Sequence, residues 1–193
     1  MKKIGVLALQ GAFKEHINII KAIGHEAVEI RKTEQLDDID GIILPGGEST
    51  AMGKLLDDFK IKDILVSKIK RGLPVWGTCA GMILLAAQLD SDEDAHLKVM
   101  DIKVRRNAYG SQIDSFITKE VIEGVSHKEI PMVFIRAPYI VDVGENVELL
   151  HCIDGNIVAA RQDNMLATSF HPELTDDTTF HEYFINMTNK KFV

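Results

Sequence analysis

The chain has 193 residues and a formal net charge of −7 at pH 7, with 46% hydrophobic and 26% charged residues. These proportions are typical of a globular protein with one sizeable core. The acidic balance disfavours a nucleic-acid partner, and no apolar run approaches the ~20 residues that a membrane span needs. The apolar run near residue 1 is too short for a signal peptide and predicts a first strand.

No repeat, low-complexity stretch or linker divides the chain, so we expect a single domain over residues 1–193. The two cysteines, Cys79 and Cys152, do not indicate a secreted disulfide framework. We therefore expect a reducing, cytoplasmic compartment.

The first part of the chain alternates between strand and helix patterns. Strands are predicted at residues 3–8, 27–30, 41–44 and 73–76, and helices at residues 13–24, 50–59, 61–70 and 82–87. Such an alternation is typical of a parallel sheet with helices on both faces.

The second part is richer in strands, predicted at residues 98–104, 112–118, 133–135, 147–152, 157–161 and 165–169 before a helix at 178–189. Asp154 and Gly155 predict a tight hairpin turn between two of these strands. The expected fold is α/β, with three layers (α/β/α), a mostly parallel central sheet and an antiparallel extension.

Ligands of such folds bind beyond the carboxyl ends of the strands. Four segments follow predicted strands directly: residues 9–11, 45–49, 78–81 and 170–173. If the strands are parallel, these segments meet at one edge of the sheet and form one site.

Cys79 lies between a predicted strand and a predicted helix, with Gly77 and Gly81 two residues away on either side. This spacing is typical of a nucleophile elbow in which sulfur replaces oxygen. The helix N-terminus favours a thiolate. The alternative is a buried structural cysteine beside two packing glycines.

A cysteine nucleophile needs a base and a group that orients the base. His171 follows a predicted strand, and Glu173 is two residues further on, so Cys79, His171 and Glu173 form a candidate catalytic triad. The remaining histidines and Cys152 show no metal-ligand spacing, so no metal site is predicted. Among those histidines we expect His16, His25 and His181 to be solvated and His151 to be partly exposed.

Residues 45–49 (Pro-Gly-Gly-Glu-Ser) form a loop suited to bind the oxyanion that forms when a nucleophile attacks an acyl carbon. The main-chain N–H groups of Gly47 and Ala80 are a plausible pair of donors. A simpler alternative is a tight turn in which Ser49 or Thr50 caps the next helix.

In this order, residues 45–49, 77–81 (Gly-Thr-Cys-Ala-Gly) and 170–173 (Phe-His-Pro-Glu) resemble the class I, or triad, glutamine amidotransferases. Residues 5–12, 104–110, 134–138 and 171–175 narrow the resemblance to the glutaminase subunits of pyridoxal 5′-phosphate synthases. The matches are specific and extend over nearly the whole chain.

The resemblance implies that Cys79 attacks the side-chain amide of L-glutamine and that His171 and Glu173 assist it. It also implies which residues hold the glutamine: Gly46, Gly47, Glu48, Ser49, Arg106, Ile135 and Arg136. By charge, Glu48 suits the α-ammonium group of glutamine and Arg106 suits its α-carboxylate.

Ammonia released into neutral water is protonated and no longer a nucleophile, so an ammonia-producing site is useful only beside an acceptor site. We expect no acceptor domain in this chain. The resemblance implies a barrel-shaped synthase subunit as partner, which makes pyridoxal 5′-phosphate as product, and it implies no bound cofactor here. Gln10, on the same predicted edge, is a candidate for responding to that partner.

Two other functions stay open at this point. One is a cysteine peptidase of related fold, and the other is a catalytically silent amidotransferase-like binding subunit.

Overall fold

The structure is a computed structural model that describes residues 1–106, 115–190 and 192. Its strands are β1 (Lys3–Leu7), β2 (Glu26–Ile30), β3 (Gly41–Leu44), β4 (Val75–Thr78), β5 (Ala86–Leu89), β6 (Met100–Arg105), β7 (Ser115–Val121), β8 (Glu129–Ile135), β9 (Tyr139–Val143), β10 (Glu148–Ile153), β11 (Asn156–Gln162) and β12 (Met165–Thr168). Its helices are α1 (Phe13–Ala22), α2 (Ser49–Asp58), α3 (Lys62–Lys70), α4 (Ala80–Leu85) and α5 (Thr179–Met187).

The main sheet has a parallel part followed by an antiparallel part, in the order β2-β1-β3-β4-β12-β11-β9-β6-β5, with β10 added to β11. The neighbours from β2 to β12 run parallel. From β12 to β6 the neighbours run antiparallel, and β7 pairs with β8 in a separate hairpin. The α/β fold with an antiparallel extension, predicted from the sequence, is confirmed.

Apolar residues cover both faces of the parallel part because successive strand residues point to opposite sides. Ile42 and Leu44 pack with α2, α3 and α4 on one face. Ile43 and Trp76 pack with α1 and α5 on the other. In the described ranges, no helix combines the length and the apolar character needed to cross a membrane.

The turn between β4 and α4 is closed so tightly that its flanking glycines cannot carry a side chain. A Cβ on Gly81 would lie 1.9 Å from the Leu44 carbonyl oxygen, and a Cβ on Gly77 would lie 2.4 Å from the Gly81 main chain. The turn residue, Cys79, has a φ of 49°. The predicted elbow geometry is confirmed.

Two strands, β5 and β9, are absent from the sequence prediction. Residues 82–87 were expected to be helical, but α4 ends at Leu85 and Ala86 begins β5, which pairs in parallel with β6. The long-range ladder overrides the good local helix propensity of these residues. Strand β9 was not predicted, and it forms because β6 and β11 both supply pairing partners.

The prediction that His16 and His181 are solvated is wrong. Both side chains are fully buried in the layer that α1 and α5 form over Trp76. His16 lies three residues after Phe13 and four before Ile20, on the apolar face of α1. The helical period therefore contained the signal for its burial.

Burial also sets the charge of these histidines. It lowers the pKa of His181 to about 4. Burial and the neighbouring His181 and His171 lower the pKa of His16 well below its ordinary value. Both rings are therefore neutral at pH 7.

Replacing Gly81 with alanine tests the closure of the turn. We expect Gly81→Ala to lower the free energy of unfolding by about 3 kcal/mol, because its Cβ meets a main-chain oxygen rather than a movable side chain. Gly24→Ala is the control, since Gly24 has a φ of +84° but open space around it and should lose only about 1 kcal/mol. Urea unfolding measures both variants. If Gly81→Ala and Gly24→Ala lose the same free energy of unfolding, the close approach of Gly81 to the Leu44 carbonyl is contradicted.

The buried His181 predicts a stability that falls in acid. The unfolded chain takes up a proton on His181 near pH 6.5, whereas the folded chain does so only near pH 4, so stability is lost as the pH falls through this interval. We expect His181→Phe to lose less stability between pH 7 and pH 4 than the native protein, by roughly 3 kcal/mol at most. Urea unfolding at both pH values measures this, with the exposed His127→Ala as control. An identical pH dependence of native and His181→Phe proteins would refute it.

Candidate active site

The four segments that follow strands β1, β3, β4 and β12 meet around one cavity of about 570 Å³. The residues that line it are Gln10, Gly11, Ala12, Gly46, Gly47, Glu48, Ser49, Cys79, Ala80, Ile83, Arg106, Ile135, Arg136, Pro138, His171 and Leu174. The expected convergence on one edge of the sheet is confirmed.

Cys79 is placed at the floor of this cavity by its strained turn. Its φ of 49° and ψ of −105° are costly for a residue with a side chain, and such strain is concentrated at functional sites. The Cys79 N–H donates to the Thr168 carbonyl of β12 at 2.8 Å, which fixes the turn to the neighbouring strand. The side chain is 7% exposed, so the thiol reaches the cavity but little bulk water.

His171 stands between Cys79 and Glu173. Its ring neighbours the Cys79 side chain, and its Nδ1 lies 2.7 Å from Glu173 Oε1. Its main-chain N–H donates to the Val133 carbonyl of β8 at 2.8 Å. The ring is therefore held from both sides and from its backbone.

The surroundings of His171 favour its protonated form. Burial by itself disfavours the charge, but the hydrogen bonds to Cys79 and Glu173 and their negative charge raise the pKa of His171 to about 10. The side chain of Glu173 has no exposed surface, so its interaction with His171 is weakly screened. An imidazolium beside a cysteine sulfur stabilises the thiolate that attacks acyl carbons.

The candidate oxyanion loop is held by the segment that follows β1. The Gly46 carbonyl accepts from the Ala12 N–H at 3.0 Å, and the Glu48 N–H donates to Gln10 Oε1 at 2.9 Å. A Cβ on Gly47 would lie 2.4 Å from Gln10 Oε1, so the two segments are in direct contact. The donor roles of the Gly47 and Ala80 N–H groups stay a prediction.

Glu48 caps helix α2, so the alternative in which Ser49 or Thr50 caps it is wrong. Its carboxylate accepts from the Thr50 N–H at 3.0 Å and from the Ala51 N–H at 2.7 Å. Burial raises the pKa of Glu48, but these hydrogen bonds and the Arg106 charge outweigh it and hold the pKa below its usual range.

Glu48 and Arg106 face each other at the cavity wall. Arg106 Nη2 lies 3.2 Å from Glu48 Oε1, and Arg106 Nη1 donates to Glu93. Two opposite charges so placed match the ammonium and carboxylate groups of a free amino acid, although in this structure they pair with each other. Their roles in holding glutamine stay predictions.

The opposite wall is formed where β8 ends. Ile135 is 40% exposed there, and Arg136 follows with a φ of 43°. Both line the cavity, as do Gly46 and Ser49. No local sequence signal marked Ile83 as a lining residue, whereas Pro138 and Leu174 lie within the motifs at residues 134–138 and 171–175.

The predicted strand over residues 112–118 and the motif over residues 104–110 fall partly outside the described residues. Strand β7 begins at Ser115, within the predicted range. Residues 107–110 are not described, so only Val104, Arg105 and Arg106 of that motif can be placed with their partners.

The chain is similar in sequence to known glutamine amidotransferases. The SNO glutamine amidotransferase family matches residues 6–190. The chain is 58% identical over 183 residues to the pyridoxal 5′-phosphate synthase subunit PdxT of Clostridium beijerinckii, covering 95% of this chain and 96% of that one. It is 56% identical over 188 residues to the PdxT subunit of Ruminiclostridium cellulolyticum, covering 97% of this chain and 100% of that one.

Solved structures show the same fold. A crystal structure of a glutamine amidotransferase superposes with a TM-score of 0.92 at 43% identity, covering 97% of this chain and 99% of that one. PurLQS from Thermotoga maritima has a TM-score of 0.72 at 17% identity, covering 96% and 99%, and is similar in fold alone. This chain belongs to the SNO glutamine amidotransferase family.

Proposed function

We propose that this chain is the glutaminase subunit of a pyridoxal 5′-phosphate synthase. It hydrolyses L-glutamine to L-glutamate and ammonia and passes the ammonia to a separate synthase subunit. The observation that supports this most directly is the Cys79–His171–Glu173 arrangement at the floor of a cavity with a Glu48–Arg106 pair on its wall.

In the first step, the Cys79 thiolate attacks the side-chain amide carbon of glutamine. The amide oxygen becomes an oxyanion, which the N–H groups of Gly47 and Ala80 would stabilise. His171 gives its proton to the nitrogen, the C–N bond breaks, and ammonia leaves a γ-glutamyl thioester on Cys79.

In the second step, His171 is neutral and accepts a proton from water. The resulting hydroxide attacks the thioester, the C–S bond breaks, and glutamate leaves. The proton on His171 and the thiolate of Cys79 are restored. Glu173 keeps the His171 Nδ1–H oriented throughout, since its Oε1 lies 2.7 Å away.

A free amino acid suits this cavity better than a peptide does. Glu48 would bind the α-ammonium and Arg106 the α-carboxylate, both of which are blocked within a peptide chain. Gly46, Gly47 and Ser49 on one side and Ile135 and Arg136 on the other complete the contacts to glutamine.

The ammonia needs an acceptor before it is protonated by water. The PdxT relatives carry the name of a synthase subunit, which supports a second, synthase chain as acceptor. We infer that this partner is the barrel-shaped synthase subunit and that pyridoxal 5′-phosphate is its product. The proposed thiol chemistry needs no cofactor. We place the protein in the cytoplasm because a reducing compartment keeps the Cys79 thiol free.

We further infer that Gln10 senses the partner. Its side-chain oxygen accepts from the Glu48 N–H, and Ala12 on the same segment holds the Gly46 carbonyl. A partner that moves this exposed edge would therefore change the orientation of the oxyanion loop without touching Cys79.

Replacing the nucleophile tests the proposed function. We expect Cys79→Ala to lower ammonia release from glutamine by at least about a thousandfold in the complex with the synthase subunit. Cys152→Ala is the control, because Cys152 is exposed and does not line the cavity. This variant should keep native activity. Ammonia release is measured with and without the synthase subunit.

We expect weak or no activity from the isolated subunit. Full activity without the synthase subunit would contradict partner activation, and native activity in Cys79→Ala would contradict the mechanism. Cleavage of peptides instead of glutamine would favour a peptidase.

Replacing Gln10 tests the response to the partner. We expect Gln10→Ala to lower turnover in the complex by about tenfold, because the loop loses the hydrogen bond that links it to the segment after β1. Gln88→Ala, on the exposed side of β5, should leave turnover unchanged. Unchanged turnover of Gln10→Ala in the complex would remove Gln10 from this role.

A further inference from the structure

The Glu173 carboxylate has a second oxygen that the triad does not use. Oε1 accepts from His171, but the fully buried Oε2 has no hydrogen bond of good geometry within the part of the chain that the structure describes. A buried carboxylate oxygen without a donor is costly. His16 Nε2, from helix α1, faces this oxygen at 3.4 Å.

The ring of His16 is fixed where it lies. Its Nδ1 is 2.9 Å from His181 Nε2, and its Nε2 is 3.3 Å from the Thr78 hydroxyl. The edge of the ring packs against Trp76, with the ring centroids 5.7 Å apart. The side chain is fully buried, so it cannot turn away from Glu173 without disturbing the core.

One assignment of protons satisfies these contacts together. If His16 carries its proton on Nε2, that proton is shared between the Thr78 hydroxyl and Glu173 Oε2, and Nδ1 accepts from the His181 Nε2–H. The bare nitrogen is then His181 Nδ1, which is buried and unpaired among the described residues. The opposite tautomer would set a lone pair of His16 against the carboxylate.

A neutral donor is the right kind of group for this position. Burial, together with the neighbouring His181 and His171, holds the pKa of His16 well below its ordinary value, so the ring is uncharged at pH 7. A charged donor would compete with His171 for the Glu173 carboxylate and weaken the interaction that holds the proton on His171. A neutral N–H orients the carboxylate without that competition.

We propose that His16 is a positioning residue for glutamine hydrolysis, whose Nε2–H holds Glu173 Oε2 so that Oε1 stays on His171. The terminal torsion of a glutamate side chain is soft, so one hydrogen bond alone leaves the carboxylate free to swing. We expect the 3.4 Å contact to shorten when substrate is bound, since catalytic hydrogen bonds commonly tighten in the complex with substrate. This inference rests on the proposed function.

A matched pair of variants separates positioning from packing. Glutamine and methionine have similar length and shape, but only His16→Gln keeps an N–H donor near the Nε2 position. Positioning predicts that His16→Gln is the more active variant. Packing alone predicts the reverse, because methionine is the better buried side chain.

The experiment measures kcat and KM for glutamine in the complex with the synthase subunit, together with thermal unfolding of each variant. We expect His16→Met to lower kcat about tenfold with KM within about twofold of native, and His16→Gln to regain at least about threefold. Phe184→Leu, beside the same Trp76, should lower the unfolding temperature but leave kcat within about twofold. Equal kcat values in His16→Met and native protein, or a higher kcat in His16→Met than in His16→Gln, would overturn the proposal.

A second measurement shows whether His16 acts through Glu173. In a Glu173→Ala background the effect of His16→Met on kcat should shrink below about twofold, because the group that His16 positions is gone. A full tenfold effect in that background would overturn the proposal.

The proposed function and this inference fail differently. If the native complex releases no ammonia from glutamine, the proposed function fails. If the native complex is active and Cys79→Ala is not, but the two His16 variants follow the packing order, only the positioning of Glu173 fails.

Discussion

The parallel alignment of β3, β4 and β12 is the constraint on which the site depends. Gly77 of β4 lies opposite Leu44 of β3 and Ala167 of β12, so the three strands end at the same level. The turns that follow them therefore bring a nucleophile, a base and a glycine-rich loop to one cavity. Because these strands are buried on both faces, their register is strongly specified and the site is built on a rigid frame.

The chemistry at that edge depends on a carboxylate inside the protein. Glu173 has no exposed side-chain surface, and this makes its interaction with His171 strong while making its own burial costly. The neighbouring Trp76, His16 and His181 form an aromatic and polar layer that is continuous with the core. Stability and catalysis are therefore linked through the same buried groups.

The segment after β1 connects this site to the outside. Gln10 and Ala12 contact the loop that carries the candidate oxyanion donor, and they lie at the cavity edge rather than in the core. In the proposed response to a partner, this segment would move the loop while Cys79 stays fixed. It suits an enzyme whose product is useful only when a second protein is present.

Local patterns determined much of this protein without any structure. Some features depend on only a few neighbouring residues and could be predicted from the sequence: the alternation of strands and helices, the glycines around Cys79 and the Asp154-Gly155 turn. The family motifs indicated which residues form the triad. The contact of His16 with Glu173 and the pairing of Glu48 with Arg106 required the tertiary structure. These depend on contacts between residues far apart in the chain, and for such contacts the physical outcome is decided by packing and desolvation in the assembled fold rather than by local preference.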